Sequence, residues 1–249
     1  MHRLMLLAAL LFGLAGPLHA QERVQVDLEL VLLADATGSI DDAEIRFQRE
    51  GYAQAITSAE VLQTIAETGR GRIAVTYVEW ADAWSQDVVV DWTIIDGAES
   101  AQAFSERLLT PPRRAWGRNA IGSALLRGKR LIEENNLDGL RRVIDLSADS
   151  ANNWNGPSIP DARSQVLDAG ISINGLAVLC RDCSGRPISY DLEEAFQEGI
   201  IGGPGSFVIT ADSPATFADA VRRKLILEIA GTPLDPRHAA WAVPVRRGR

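Results

Sequence analysis

The sequence predicts an α/β fold: a Rossmann-like, mostly parallel central sheet with helices on both faces and one antiparallel edge strand. Three observations carry this expectation. The run from Leu28 to Ala34 is almost continuously apolar, as a strand buried on both faces requires. Apolar segments of strand length then alternate with helix-patterned ones along the chain. Polar clusters fall where the apolar runs stop, at the sheet edge where ligands bind in such folds.

Taken in order, the first strand runs into Asp35, Thr37, Gly38 and Ser39. A helix over 41–55 follows, with acidic residues in its first turn, where the helix dipole favours them. Strands are expected over 73–80 and 87–95, the second close enough behind the first to pair with it as the antiparallel edge. A helix over 98–109 ends before Pro111, Pro112, Arg113 and Arg114, which break the pattern. Ile121, Leu125 and Leu131 then give helical spacing over 119–135. A strand over 142–146 ends in Ser147, Ala148, Asp149 and Ser150. It is followed by a helix over 160–169, strands over 171–178 and 206–209, and a helix over 213–229.

The ends of the chain read differently. Arg3, an apolar run from Leu4 to Leu14, a Gly-Pro break and Ala20 form a secretory signal over 1–20, so the mature protein is expected to be exported, either periplasmic or secreted. The apolar run is too short for a stable bilayer anchor, and no later segment reaches transmembrane length. A domain over 21–232 and a Pro/Arg-containing tail over 233–249 complete the expected organisation.

Composition narrows the function classes. Acidic residues outnumber basic ones, 33 to 25, for a net charge of −8, which argues against a nucleic-acid partner. Cys180 and Cys183, in an exported chain and followed by Ser184, Gly185 and Pro187, suit a loop disulfide better than a redox helix. Removal of the signal takes His2 and His19, leaving His238 as the one histidine, so a four-ligand zinc site has nothing to complete it.

Chemistry concentrates in three loops: Asp35, Thr37 and Ser39 after the first strand, Asn119 before a long helix, and Asp149 after a later strand. Two carboxylates, two hydroxyls and an amide make an oxygen-only set. That set suits a small hard cation, Mg²⁺ first, with Mn²⁺ or Ca²⁺ as alternatives. Asp35-Ala36-Thr37-Gly38-Ser39 resembles the Asp-x-Ser-x-Ser signature of von Willebrand factor A-type (vWA) domains, in which Thr can take the first Ser position. Gly117 to Gly122 and Ser147 to Ser150 look like the second and third loops of that family's metal-ion-dependent adhesion site (MIDAS), with Asp149 as the third-loop acid. Asn119 stands where the family pattern has Thr.

Further stretches, including Tyr77-Val78-Glu79-Trp80 and Ile201-Gly202-Gly203-Pro204-Gly205, resemble an exported bacterial branch of the family whose function is uncharacterised. The likeness spans Val26 to Ala230. It implies a protein-binding module that engages an acidic group of a partner through its metal. The competing expectation is a metal-free scaffold with a degenerate site.

Enzyme patterns fit poorly. Ala36 interrupts an aspartic-protease Asp-Thr-Gly, Thr37 replaces the second acid of a phosphotransferase Asp-x-Asp, and His238 lies in a Pro-rich tail where it is no positioned base. Gly122 to Lys129 reads as helix interior rather than as a phosphate loop. Asp145, inside an apolar strand, reads as hydrogen-bonded structure outside the site. Trp116 and Trp154 lie in or beside the second and third loops and read as packing or rim.

Overall fold

A computed structural model describes residues 22–179 and 190–231. The expected signal segment over 1–20, Cys180 and Cys183, and residues 233–249 with His238 lie outside the described residues. Six strands and seven helices are described in chain order: β1 (Val24–Asp35), α1 (Asp42–Ile56), α2 (Ala59–Ala66), β2 (Ile73–Trp80), β3 (Gln86–Ile95), α3 (Ala98–Leu109), α4 (Ile121–Glu133), β4 (Leu137–Ala148), α5 (Ile159–Asp168), β5 (Ser172–Val178), α6 (Leu192–Gly199), β6 (Val208–Ala211) and α7 (Pro214–Ala230).

The sheet order is β3-β2-β1-β4-β5-β6. Every pair is parallel except β2–β3, which is antiparallel. The expected class is therefore the observed one. β1 sits at the centre because its side chains are apolar on both faces. Leu28, Leu30, Leu32 and Ala34 pack into one core with Tyr52, Val61, Phe104 and Phe217 from α1, α2, α3 and α7. Val31 and Leu33 pack into the other with Leu125, Val166 and Phe196 from α4, α5 and α6. The chain order reverses between β1 and β4, so the crevice above their C-terminal ends is the switch point at which open α/β sheets bind ligands.

Several elements differ from expectation, each for a local reason. β1 begins at Val24 and β4 at Leu137, because their N-terminal residues pair with one another from Val24↔Leu137 to Leu28↔Arg141 despite weak apolar patterning. β6 starts two residues later than expected. Ser206 closes a turn onto Gly203 O at 3.2 Å, and Phe207 N donates to Asn174 Oδ1 at 3.2 Å, before ladder pairing starts at Val208. Helices α2 and α6 were not anticipated. Each is one short amphipathic segment whose buried pair, Val61 and Ile65 or Leu192 and Phe196, is spaced four apart behind a Ser58 or Asp191 cap. Phe196 approaches β5 only because Gly175 has no Cβ; one placed there would fall 2.4 Å from the ring.

A second close approach fixes the third loop. Gly122, in the first turn of α4, is buried against backbone, and a Cβ there would meet Pro157 O at 2.1 Å. Its N–H donates to Asn153 Oδ1 at 3.1 Å. Gly122→Ala is expected to lower stability by about 1–3 kcal/mol through overpacking, measured as a shifted urea midpoint; an unchanged midpoint would show that the loop yields freely.

Candidate metal centre

β1 delivers Asp35 to the switch point with 1% of its surface exposed. The chain turns there because Asp35 Oδ1 accepts the Thr37 N–H at 2.8 Å, a carboxylate standing in for a backbone turn. Gln48 Nε2 on α1 donates to Asp35 O at 3.2 Å. Beyond the turn, Asp41 caps α1 by accepting from Ala43 N and Glu44 N, and Glu44 Oε2 returns the contact to Asp41 N at 2.8 Å, a capping box. The loop between strand and helix is therefore tethered at both ends.

Inside it, Thr37 Oγ1 and Ser39 Oγ lie 3.2 Å apart, and Ser39 Oγ donates to Asp149 Oδ2 across 3.1 Å. The second loop closes on the first through Gly38 N, which donates to Gly117 O at 2.8 Å. Gly117 has φ 121°, and a Cβ there would lie 2.6 Å from Asp82, so glycine is required on both counts. Asn119 joins the third loop: its O accepts Trp154 N at 2.7 Å, and its Nδ2 donates to Ser150 Oγ at 2.9 Å. The structure thus links Asp35, Thr37, Ser39 and Asp149 in one chain of contacts. Asn119 is attached to Ser150, the neighbour of Asp149, with its amide oxygen as the remaining acceptor.

The electrostatics are those of a site with too much negative charge for its solvation. Burial, then the Asp149 charge, pushes the Asp35 carboxyl up to about 8 from 3.8. Burial raises Asp149 as well. Asp35 Oδ2 is buried with no hydrogen-bond partner, as is the nearby Ser147 Oγ, and both residues line one small crevice with Glu44 and Asp149. An unpaired buried carboxylate oxygen is costly unless it is protonated or given a cation. The oxygen-only donor set fits a hard divalent ion. Among the described residues, no group of three or more His, Cys, Asp or Glu gathers as a metal site, so any cation held here would rest on two carboxylates and neutral oxygens.

Two features of this edge were missed or only glimpsed in the sequence. Trp84, Trp116 and Trp154 are exposed by 75%, 50% and 64%, and their loops interlock: Trp116 N donates to Ser85 Oγ, and Trp154 N to Asn119 O. Arg113, read from sequence only as part of a break, has a side chain just 8% exposed and lies against the first loop. Its signal was an arginine beside two prolines in a segment too irregular to be a helix face.

Comparison with known proteins places this geometry. A family model described as "Protein of unknown function (DUF1194)" matches residues 25–233. No curated protein matches the chain in sequence. Among solved structures, proximal thread matrix protein 1 from the mussel byssus aligns with TM-score 0.58 at 13% identity, covering 84% of this chain and 48% of that one. The pilus adhesin SpaC from Lactobacillus rhamnosus GG, in an open conformation, aligns with TM-score 0.57 at 14% identity, covering 83% and 31%. The mussel protein with a zinc-occupied MIDAS motif aligns with TM-score 0.56 at 16% identity, covering 84% and 49%. The chain thus spans about half or less of these proteins. At such identities the likeness establishes the fold, which is vWA-like.

Proposed function

We propose that this chain, which belongs to the DUF1194 family, is an exported protein-binding module whose Asp35, Thr37, Ser39, Asn119 and Asp149 hold a divalent cation, Mg²⁺ first, for engagement of a partner's carboxylate. The observation that carries this reading is the buried, unpartnered Asp35 Oδ2 facing a second carboxylate's charge, a need that a hard cation answers. The bound cation would give a partner's acidic side chain a charge-assisted contact. The chain's own residues do the rest: hydroxyls and the amide complete the oxygen set, and the exposed tryptophans supply the aromatic surface that recurs at interface hot spots. The mussel protein's zinc-occupied motif supports a divalent metal on this fold. No helix among the described residues is long and apolar enough to cross a membrane.

A second reading has its own observation. Gly38 to Gly117 and Ser39 to Asp149 already close the loops by hydrogen bonds, and a proton on Asp35 would satisfy the pair without metal. Calorimetric titration of the chelator-stripped mature protein with Mg²⁺ and Mn²⁺, beside an Asp35→Ala, Asp149→Ala double variant, separates the two. Saturable binding that the variant loses supports the metal site; heat absent from the wild type supports the metal-free scaffold. Asn119→Thr adds a graded arm. Under the first reading it tightens Mg²⁺ binding by several-fold, and under the second the titration stays flat.

A further inference from the structure

We infer that Arg113 is the positioning residue of this centre: it holds the first loop in ligand geometry from the segment that leads into the second loop, without itself being a ligand. The inference rests on the metal-binding reading for its meaning but on separate contacts for its geometry.

The guanidinium reaches three carbonyls of the first loop. Nη1 donates to Ile40 O at 2.7 Å, and Nη2 donates to Thr37 O at 3.0 Å and to Ala36 O. Nε donates to Ala115 O at 2.8 Å, tying the same group back to its own segment. These carbonyls flank Thr37 and Ser39, whose hydroxyls must face inward together. A planar fork spreads its donors over three nitrogens in fixed directions, whereas the three rotatable donors of an ammonium all sit on one nitrogen and do not span the same carbonyls. The surface ion pair to Asp42, at 3.7 Å with that acid 80% exposed, adds little.

The fork is itself anchored. Glu79, fully buried on β2, accepts Arg114 N at 2.6 Å through Oε2 and pairs with Arg49 at 2.6 Å through Oε1. Arg49 also donates to Pro112 O at 3.1 Å and to Pro111 O. The backbone on either side of Arg113 is thereby pinned to α1 and β2, and two prolines remove most of its remaining freedom. On its outer side Arg113 carries the Trp116 ring, 4.4 Å from guanidinium to centroid, which shields the fork from water.

Two effects of Arg113 on a cation oppose each other, and this makes the inference testable. As geometry it should strengthen binding; as a positive charge close to the site it should weaken it. Arg113→Lys keeps the charge and loses the fork, whereas Arg113→Met loses both. If the fork dominates, both variants weaken Mg²⁺ binding by about tenfold or more, the scale seen when groups that orient metal ligands are removed. Both should also speed amide exchange at Gly38 and Ile40, whose N–H groups bond Gly117 O and Thr37 O.

The experiment is Mg²⁺ titration of the full mature chain and both variants, with amide exchange and chelator-only melting run in parallel. Unchanged affinity in Lys with tighter binding in Met would show that charge, not geometry, is what Arg113 contributes, and overturns the inference. Unchanged exchange at Gly38 and Ile40 does so as well. If the wild type takes up no Mg²⁺, the metal reading fails while faster exchange in both variants still establishes the latch. If either variant fails to fold, the other supplies the comparison.

Discussion

Asp35→Asn is expected to raise the stability of the metal-free protein while abolishing its stabilisation by Mg²⁺. The carboxyl is fully buried, its Oδ2 has no partner, and burial together with the Asp149 charge lifts it from 3.8 to about 8. The folded state therefore binds a proton that the unfolded chain releases near pH 4. Between these values the folded protein carries more protons, so its stability falls as pH rises. The contribution is complete below about pH 4 and is lost as pH climbs through about 8. A single proton gives a slope of roughly 1.4 kcal/mol per pH unit inside that window.

Asn has the same shape and no charge, so its stability should be flatter with pH and higher than wild type at pH 8 in chelator. Added Mg²⁺ reverses the order. Wild type gains by mass action as free ion exceeds its dissociation constant, and the variant gains nothing. Urea unfolding at pH 5.5, 7 and 8, with chelator and with Mg²⁺, checks both halves. A variant whose pH slope matches wild type would sink the electrostatic account; a variant that still responds to Mg²⁺ would remove Asp35 from the ligand set.

The sequence disclosed the central part of this arrangement and hid its supports. Leu28 to Ala34 is apolar on both faces, so its place at mid-sheet and the position of Asp35 at its end followed directly. Asp149 followed from the same logic on β4. Short elements were harder: α2 and α6 bury two large side chains each, too few to give a periodic signal. Supports that act across the fold were harder still. Nothing local in Pro111 to Arg114 says that Arg113 will meet the carbonyls of Ala36, Thr37 and Ile40, more than seventy residues earlier in the chain. The Asn119 Nδ2 contact to Ser150 was not legible either, because a side chain's partner is fixed by which loop packs alongside it. Lys224, in the run Arg222-Arg223-Lys224, is 1% exposed, and nothing in that charged run marks it for the core.

That lysine carries the other large expected effect. Lys224 Nζ on α7 lies 2.5 Å from Asp145 Oδ2 on β4 and 2.6 Å from Glu228 Oε1 one turn on, all three buried. Asn174 Nδ2 adds a contact to Glu228 Oε1 at 3.1 Å. Burial pulls the ammonium down, but the two carboxylates more than reverse this and leave it raised. Burial lifts Asp145 to about 7, with Lys224 opposing the rise and Glu228 adding to it. Two acids thus share one cation in the core, and removing the cation strands both.

Lys224→Met is expected to cost about 3–5 kcal/mol, the scale for breaking a buried pair from one side. The loss should shrink in acid. Without Lys224 the Asp145 carboxyl, already raised by burial, loses the cation that opposes its rise, so the variant regains stability as pH falls. Adding Asp145→Asn and Glu228→Gln to the same chain should restore most of the loss at neutral pH, since no charge is then left unpaired. Urea midpoints at pH 5.5 and 8 for the single and triple variants decide it. A loss under about 1 kcal/mol, or one that ignores pH, would mean that water reaches these carboxylates and that the trio does not fix α7 against the strand leading to Asp149.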